Sequence, residues 1–200
     1  MRLEWLRPKS ELKEVLHEPR SVGPEIAYWI FSDLTIEKWK DMTVIAPGLY
    51  GKEFPKTYGH YHTPHVYETY KLVHGDGTFL LQKKHYENYV ASGARTKKWI
   101  PEQVDEVYMV KFSAGDELII PQDFGHSWSN VGATPLITFD DWTSGHTATD
   151  YEAIKKLKGM AFYITLGGNG IKFVPNPNYK KLPDPKVITA KEFQRLYPIS

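Results

Sequence analysis

The chain contains no cysteine among its 200 residues. It therefore has no disulfide framework, no thiolate nucleophile and no cysteine-ligated zinc or iron–sulfur site. We expect any bound metal to be held by nitrogen and oxygen atoms.

The sequence also lacks a long apolar run and a large excess of charge of one sign. No stretch is long enough to cross a membrane, and the N-terminal segment lacks the apolar core of a signal peptide. The formal net charge of +1 gives no broad basic surface to attract nucleic acid or an anionic membrane. We therefore expect a cytoplasmic protein that binds neither, and whose ligand is a small molecule.

What the chain does have is a regular succession of short apolar segments. From Thr43 onward, runs rich in Val, Ile, Tyr, Phe and Trp alternate with Gly, Pro and Asp turns. This texture is typical of an antiparallel sandwich or barrel. We predict an all-β protein with one domain over residues 1–200, comprising a core at about 43–155, an N-terminal extension 1–42 and a C-terminal extension 156–200.

Helices are predicted only in the extensions. In "PKSELKEVLHEP", Leu12, Val15 and Leu16 follow Ser10 at helical spacing, with Ser10 as N-cap. The tail "TAKEFQRLYPIS" predicts a last helix opened by Thr189. A further short helix is predicted for "DLTIEKWKDM".

The stretch "TYGHYHTPHVYE" holds three of the chain's eight histidines and a glutamate. On an extended strand His60 and His62 point to one face, while Tyr61 points to the other. Glu68 follows a proline-containing spacer, and a carboxylate returning to the same face completes a facial set of two histidines and one acid. His65 lies in the spacer, and we do not interpret it as a ligand.

A fourth ligand candidate lies in "GDELIIPQDFGHSWSN". There His126 follows a proline-containing turn and begins another predicted strand. We interpret His17, His74 and His85 as ordinary polar residues of a helix and a hairpin. His146 lies in a Gly- and Thr-rich loop. Of these four histidines, it is the one that we expect to reach the mouth of a pocket.

Together the two segments resemble the two motifs of the cupin superfamily. The first motif corresponds to Gly59, His60, His62, Glu68 and Gly75, and the second to Gly115, Pro121, Gly125, His126 and Asn130. The spacer before Glu68 is longer than usual by a residue or so, and Gly125 adjoins His126 instead of preceding it by three, which affects the loops more than the ligands. The resemblance implies a jelly-roll β-barrel or sandwich with one divalent metal on His60, His62, Glu68 and His126.

A closer resemblance is to the archaeal cupin-type phosphoglucose isomerases, over roughly residues 43–155. It is carried by "PGLYGKEFPKTYGHYH", "ETYKLVHGDGTFLLQ" and "PQDFGHSWSNVG". It implies the interconversion of glucose 6-phosphate and fructose 6-phosphate, with the metal as the electrophile that polarises the oxygens on C1 and C2. Fe(II) is the expected ion, and Mn(II), Ni(II), Co(II) and Zn(II) also suit such ligands.

The resemblance implies roles for individual residues, and two more candidates come from the residues themselves, Tyr70 from its same-face spacing with Glu68 and Lys52 from its charge. The expected catalytic residues are Glu68, Tyr70 and His146. Glu68 is either a ligand throughout or the base of an enediol route, whereas a hydride shift needs no base. The expected substrate contacts are Thr43, Thr57, Gly59, Tyr28, Lys52 and Tyr151, the first three at the phosphate. An alternative interpretation of Lys52 is a solvated turn residue, and an alternative interpretation of Tyr70 is an aromatic residue of the core.

Two other functions use the same motifs. A metal-dependent cupin dioxygenase would share the ligands but prefer a more apolar pocket, and a non-catalytic sugar-binding cupin would need no turnover at all. Six tryptophans and thirteen tyrosines supply apolar surface for an interface, so we expect a homodimer.

Overall fold

The computed structural model describes residues 1–62, 67–91, 94–143 and 145–198. Within these ranges most elements are strands, in agreement with the predicted all-β class. The strands are β1 (Arg2–Pro8), β2 (Ile26–Ser32), β3 (Asp41–Ile45), β4 (Glu68–His74), β5 (Gly77–Ala91), β6 (Ala94–Phe112), β7 (Glu117–Ile120), β8 (Phe124–Asn130), β9 (Leu136–Asp140), β10 (Phe162–Gly167), β11 (Gly170–Pro175) and β12 (Lys186–Thr189). The helices are α1 (Lys9–Leu12), α2 (Ala148–Lys156) and α3 (Ala190–Leu196), with a 3₁₀ turn at Lys13–Val15.

Two sheets face each other across the core. The first has the strand order β1-β2-β3-β9-β4-β7 and the second the order β12-β6-β5-β8, while β10 and β11 form a separate hairpin. Apart from the parallel β12–β6 pair, the pairings in these sheets are antiparallel. The ring of Tyr70 on β4 lies 5.0 Å from Phe79 on β5 and 5.9 Å from Trp128 on β8, so aromatic side chains join the two inner faces. Among the described residues, no helix is long and apolar enough to cross a membrane.

The N-terminal extension contains two strands, β1 and β2, where the sequence analysis predicted only helices. Strands β1 and β2 continue the six-stranded sheet beyond β3, through register pairs such as Tyr28 with Ile45. The short apolar alternation of "RLEWLRP" and "IAYWIFS" was the missed signal. Because these strands join the same sheet as the metal-side strands, the extension forms part of the pocket wall.

The helix predictions had mixed outcomes. The C-terminal helix is confirmed, since Thr189 caps α3 and exchanges hydrogen bonds with Glu192 in a capping box. The N-terminal helix exists, but Pro8 is its cap and not Ser10. The helix predicted in "DLTIEKWKDM" is wrong, because residues 33–40 form a turn closed by an Ile36–Trp39 bridge and its last two residues begin β3.

A buried ion pair fastens the N-terminal segment to the loop before the metal site. Lys56 Nζ lies 2.6 Å from Glu53 Oε1, and their side chains are 5% and 1% exposed. Lys56 also donates to the carbonyl of Val15 at 2.7 Å, and Glu53 accepts the backbone N–H of His17 at 2.7 Å. The pair therefore satisfies backbone groups of the 3₁₀ turn as well as its own charges.

Candidate metal centre and substrate cavity

The first two histidine ligands are placed by a short extended segment that runs beside β8. Backbone hydrogen bonds join His60 and His126 in both directions, at 3.1 and 3.0 Å. The predicted alternation is present, since Tyr61 points away from His60 and His62 and packs on Trp99 at 4.7 Å. Its ring also fills the space in which a Cβ at residue 125 would lie, which explains the glycine there.

The four predicted ligands come together in the structure. His60, His62, Glu68 and His126 are all buried, and one potential ligand atom from each lies within 4.8 Å of the others. Nε2 of His60 is 2.9 Å from Nε2 of His62, and Glu68 Oε2 is 3.1 Å from Nε2 of both His62 and His126. Strand β4 supplies the glutamate and β8 the last histidine.

The donor atoms suit a divalent ion. Donors bound to one such ion at about 2.1 Å lie roughly 3.0 to 3.4 Å apart, depending on the coordination angle. The three separations given above, 2.9, 3.1 and 3.1 Å, are close to that range, and all four atoms lie within 4.8 Å of one another. Glu68 Oε2 and His126 Nε2 are buried without a geometrically sound hydrogen bond, so both remain available to a metal. The residues present therefore fit the implied metal.

The protonation states also suit metal binding. Burial lowers the pKa of His60 and His126, which holds the imidazoles in their neutral, ligating form. Burial acts to raise the pKa of Glu68, but the neighbouring imidazoles of His126 and His62 outweigh it and bring the pKa well below its usual range. Glu68 is accordingly ionised, the form in which a carboxylate can bind a metal ion or accept a proton.

A cavity of about 450 Å³ opens beside the ligands. Its lining includes seven predicted substrate or catalytic residues in addition to three of the ligands, namely Tyr28, Thr43, Thr57, Gly59, Tyr70, His146 and Tyr151. Lys52 does not line the cavity; its side chain is exposed, and its backbone carbonyl accepts the N–H of Leu166 on β10. His65 lies outside the described residues.

Residues 57 and 59 have specific local roles. The hydroxyl of Thr57 accepts the backbone N–H of Trp128 at 3.0 Å, so β8 orients it beside the cavity. Gly59 has φ = +84°, and a Cβ there would meet Met160 Sδ at 2.8 Å. A side chain at this position would be strained and crowded, which explains the glycine next to the first ligand.

Tyr70 lies beside the ligand carboxylate. Burial raises the pKa of Tyr70, and the charges of Glu68 and Asp140 raise it further. The phenol therefore keeps its proton at neutral pH and acts as a hydrogen-bond donor. The ring of Tyr70 packs in the core, and the residue also lines the cavity beside Glu68.

His146 and Tyr151 lie above the ligands, at the start of α2. The ring of His146 is 4.1 Å from that of His60, and the ring of Tyr151 is 5.5 Å from it. Burial lowers the pKa of His146 to about 4, so it is neutral at physiological pH. A capping box between Thr147 and Asp150 starts the helix, and this signal was missed when the segment was interpreted as a loop.

Several lining residues were not predicted from the sequence. Trp142 packs on His62 at 4.0 Å and stacks on His146 at an interplanar angle of 6°, forming an aromatic cover. The others that sequence reasoning missed include Glu4, Trp5, Ile30, Asp41, Tyr58 and Asp140. The signal for Asp41 was its same-face spacing with Thr43 on β3.

Two facing sheets around three buried histidines and a glutamate that could hold a metal ion are the features of a cupin. The family model for glucose-6-phosphate isomerase matches residues 34–182, and the chain belongs to that family. It is 30% identical over 162 residues to the glucose-6-phosphate isomerase of Thermococcus onnurineus, covering 78% of this chain and 74% of the relative. It is 28% identical over 163 residues to that of Pyrococcus furiosus, with the same shares covered.

Likeness to solved structures is partial. A predicted oxalate decarboxylase from Thermotoga maritima shares 18% identity, covers 56% of this chain and 76% of its own, and gives a TM-score of 0.33. Overlap this limited says nothing about activity. Membership of the isomerase family, not these structures, favours the isomerase over the dioxygenase and the sugar-binding protein.

Proposed function

We propose that the protein interconverts glucose 6-phosphate and fructose 6-phosphate, a step of glycolysis and gluconeogenesis. One observation carries the proposal: in a chain of this family, the four buried ligands adjoin a cavity large enough for a hexose phosphate. A bound divalent ion would supply Lewis acidity towards the oxygens on C1 and C2. We propose Fe(II) as that ion, since three imidazoles and a carboxylate suit it.

Glu68 is the proposed base. Its carboxylate is buried and ionised, so it can take a proton from C2 or C1 and return it to the other carbon along an enediol route. The Tyr70 hydroxyl interacts with this carboxylate and fixes its orientation. His146, neutral and close to His60, faces the same part of the cavity and is placed to bond a sugar hydroxyl.

The proposed phosphate end extends along the cavity wall from β2 and β3 to the segment that leads to His60. Tyr28, Thr43, Thr57 and Gly59 line it. No lysine or arginine is among the described lining residues, and Arg7 is the cation behind this wall, where it donates to the Tyr28 hydroxyl at 3.2 Å. That bond makes Tyr28 a stronger donor towards an anion, because its oxygen already accepts from a charged group. Tyr151 packs on Tyr58 at 5.6 Å and closes the sugar side.

The experiment is a coupled assay of fructose 6-phosphate conversion on purified protein. We expect activity as isolated or after Fe(II) loading, loss after thorough chelation, and recovery after metal is added back. Activity that survives chelation with no metal left by mass spectrometry would contradict the metal dependence. Inactivity with every divalent ion would contradict the isomerase function itself.

We also propose that residues 1–200 act as one domain and that two copies form a homodimer in the cytoplasm, where hexose phosphates are made and used. The outer half of the β5–β6 hairpin supports the dimer, since it extends past β8 and exposes Tyr89 and Val90. Light scattering after size exclusion should give about twice the 23.1 kDa chain mass. A monomer at micromolar concentration would contradict the dimer.

A further inference from the structure

The floor of the cavity carries two acids that the proposed reaction does not use. Asp41 on β3 is paired with Asp140 on β9, and Asp140 is paired with Tyr70 on β4. Glu68 lies two residues from Tyr70 on the same strand face. The three paired residues thus form a row across neighbouring strands, beginning next to the ligand carboxylate and running towards β2, and all three line the cavity.

Asp140 is fixed in place but not fully bonded. Its side chain is 5% exposed, and Oδ1 accepts the backbone N–H of Trp142 at 3.2 Å. Within the described part of the chain, no hydrogen bond or ion pair engages Oδ2. A carboxyl oxygen at a cavity wall that has no protein partner is available to bond to water or to a ligand group in the cavity.

The charges around this row restrict the kind of ligand group it can meet. Burial raises the pKa of Asp140 well above its usual range, and the negative charges of Glu68 and Asp41 raise it further. Burial also raises the pKa of Asp41, to about 6. Since no described lysine or arginine lines the cavity, a second anion at the row would be repelled. Hydroxyl groups are the neutral partners that bond to a carboxyl group in either protonation state.

The row also lies where the middle of a sugar phosphate would be. Neighbouring strands are about 4.8 Å apart, and residues two apart on a strand are about 7 Å apart. Asp140 is therefore one strand from Tyr70, and Asp41 is one same-face position from Thr43 at the proposed phosphate end. A chain reaching from the ligands to Thr43 passes over both acids.

We propose that Asp140 and Asp41 bind the hydroxyl groups in the middle of the sugar-phosphate chain and so determine which hexose phosphates the cavity accepts. This inference rests on the proposed isomerase function. The residues are specificity determinants, with no part in proton transfer between C1 and C2.

The test compares two phosphates of equal carbon length by calorimetry on the metal-loaded protein. Glucitol 6-phosphate carries the middle hydroxyls and cannot isomerise, whereas hexyl phosphate has none. We expect Asp140→Ala to weaken the binding of glucitol 6-phosphate by about 10- to 100-fold, within the range for a buried polar group that loses its hydrogen-bond partner, and the binding of hexyl phosphate by less than about twofold. Asp140→Asn, which keeps an acceptor for Trp142, should fall between wild type and Asp140→Ala.

Asp141→Asn is the matched control, because it changes the neighbouring carboxylate, whose side chain does not line the cavity. The asparagine keeps an acceptor for the backbone N–H of Thr69. It should leave both affinities within about twofold. Equal weakening of both phosphates by Asp140→Ala, or none, would overturn the inference while leaving the isomerase function intact. A wild-type protein that binds neither glucitol 6-phosphate nor fructose 6-phosphate would overturn both.

Discussion

Replacing Glu68 by glutamine is expected to lower kcat/KM for fructose 6-phosphate by about 100- to 10,000-fold, the range for loss of a general base. Glutamine keeps an oxygen for the metal but cannot take a proton at neutral pH. The three histidines remain, so most of the metal should be retained. Steady-state kinetics and metal content by mass spectrometry, measured on the same preparation, check both parts.

Glu152→Gln is the control for this prediction, because it makes the same chemical change at an exposed position of α2. It should retain full activity. A Glu68→Gln protein that keeps its metal and most of its turnover would contradict the base role and favour a hydride shift. Exchange of the C2 hydrogen with solvent gives a second readout, since an enediol route allows exchange and a hydride shift does not.

Replacing Lys56 by methionine is expected to destabilise the fold by about 3 to 5 kcal/mol. Methionine fills much of the same space, but it leaves the carboxylate of Glu53 buried without its cation and the Val15 carbonyl without its donor. Removing one partner of a buried pair costs more than the pair itself contributes. Urea unfolding followed by tryptophan fluorescence measures the change in the free energy of unfolding.

Two variants separate this effect from general loss of charge. Lys155→Met removes an exposed lysine whose ion pair with Glu14 spans 3.6 Å, and it should cost less than about 1 kcal/mol. The double variant Lys56→Met with Glu53→Gln should recover part of the loss, because it removes the uncompensated charge but keeps an acceptor for His17. A single Lys56→Met protein as stable as wild type would show that the pair does not fasten the N-terminal segment.

The ligand set could be predicted because its information is local. Alternation along an extended segment places His60 and His62 on one face whatever the rest of the fold, and the motif spacing identified Glu68 and His126. The cap of α3 at Thr189 was equally local. The helix predicted in "DLTIEKWKDM" failed because backbone hydrogen bonds from Leu34 to Lys40 and from Trp39 to Ile36 close a turn instead. Apolar spacing over so short a segment is weak evidence for a helix.

The sequence by itself determined the class of the fold, the four candidate ligand positions and the absence of cysteine from the site. Only the tertiary structure decided what surrounds them. Asp41 and Asp140 are 99 residues apart in the chain, and their pairing depends on the register between β3 and β9. The tertiary structure likewise decides that β1 contributes to the cavity wall and that Lys52, bonded through its backbone to β10, does not line the cavity. Strand pairing between distant segments is set by packing of the whole sheet, so no local pattern reports it.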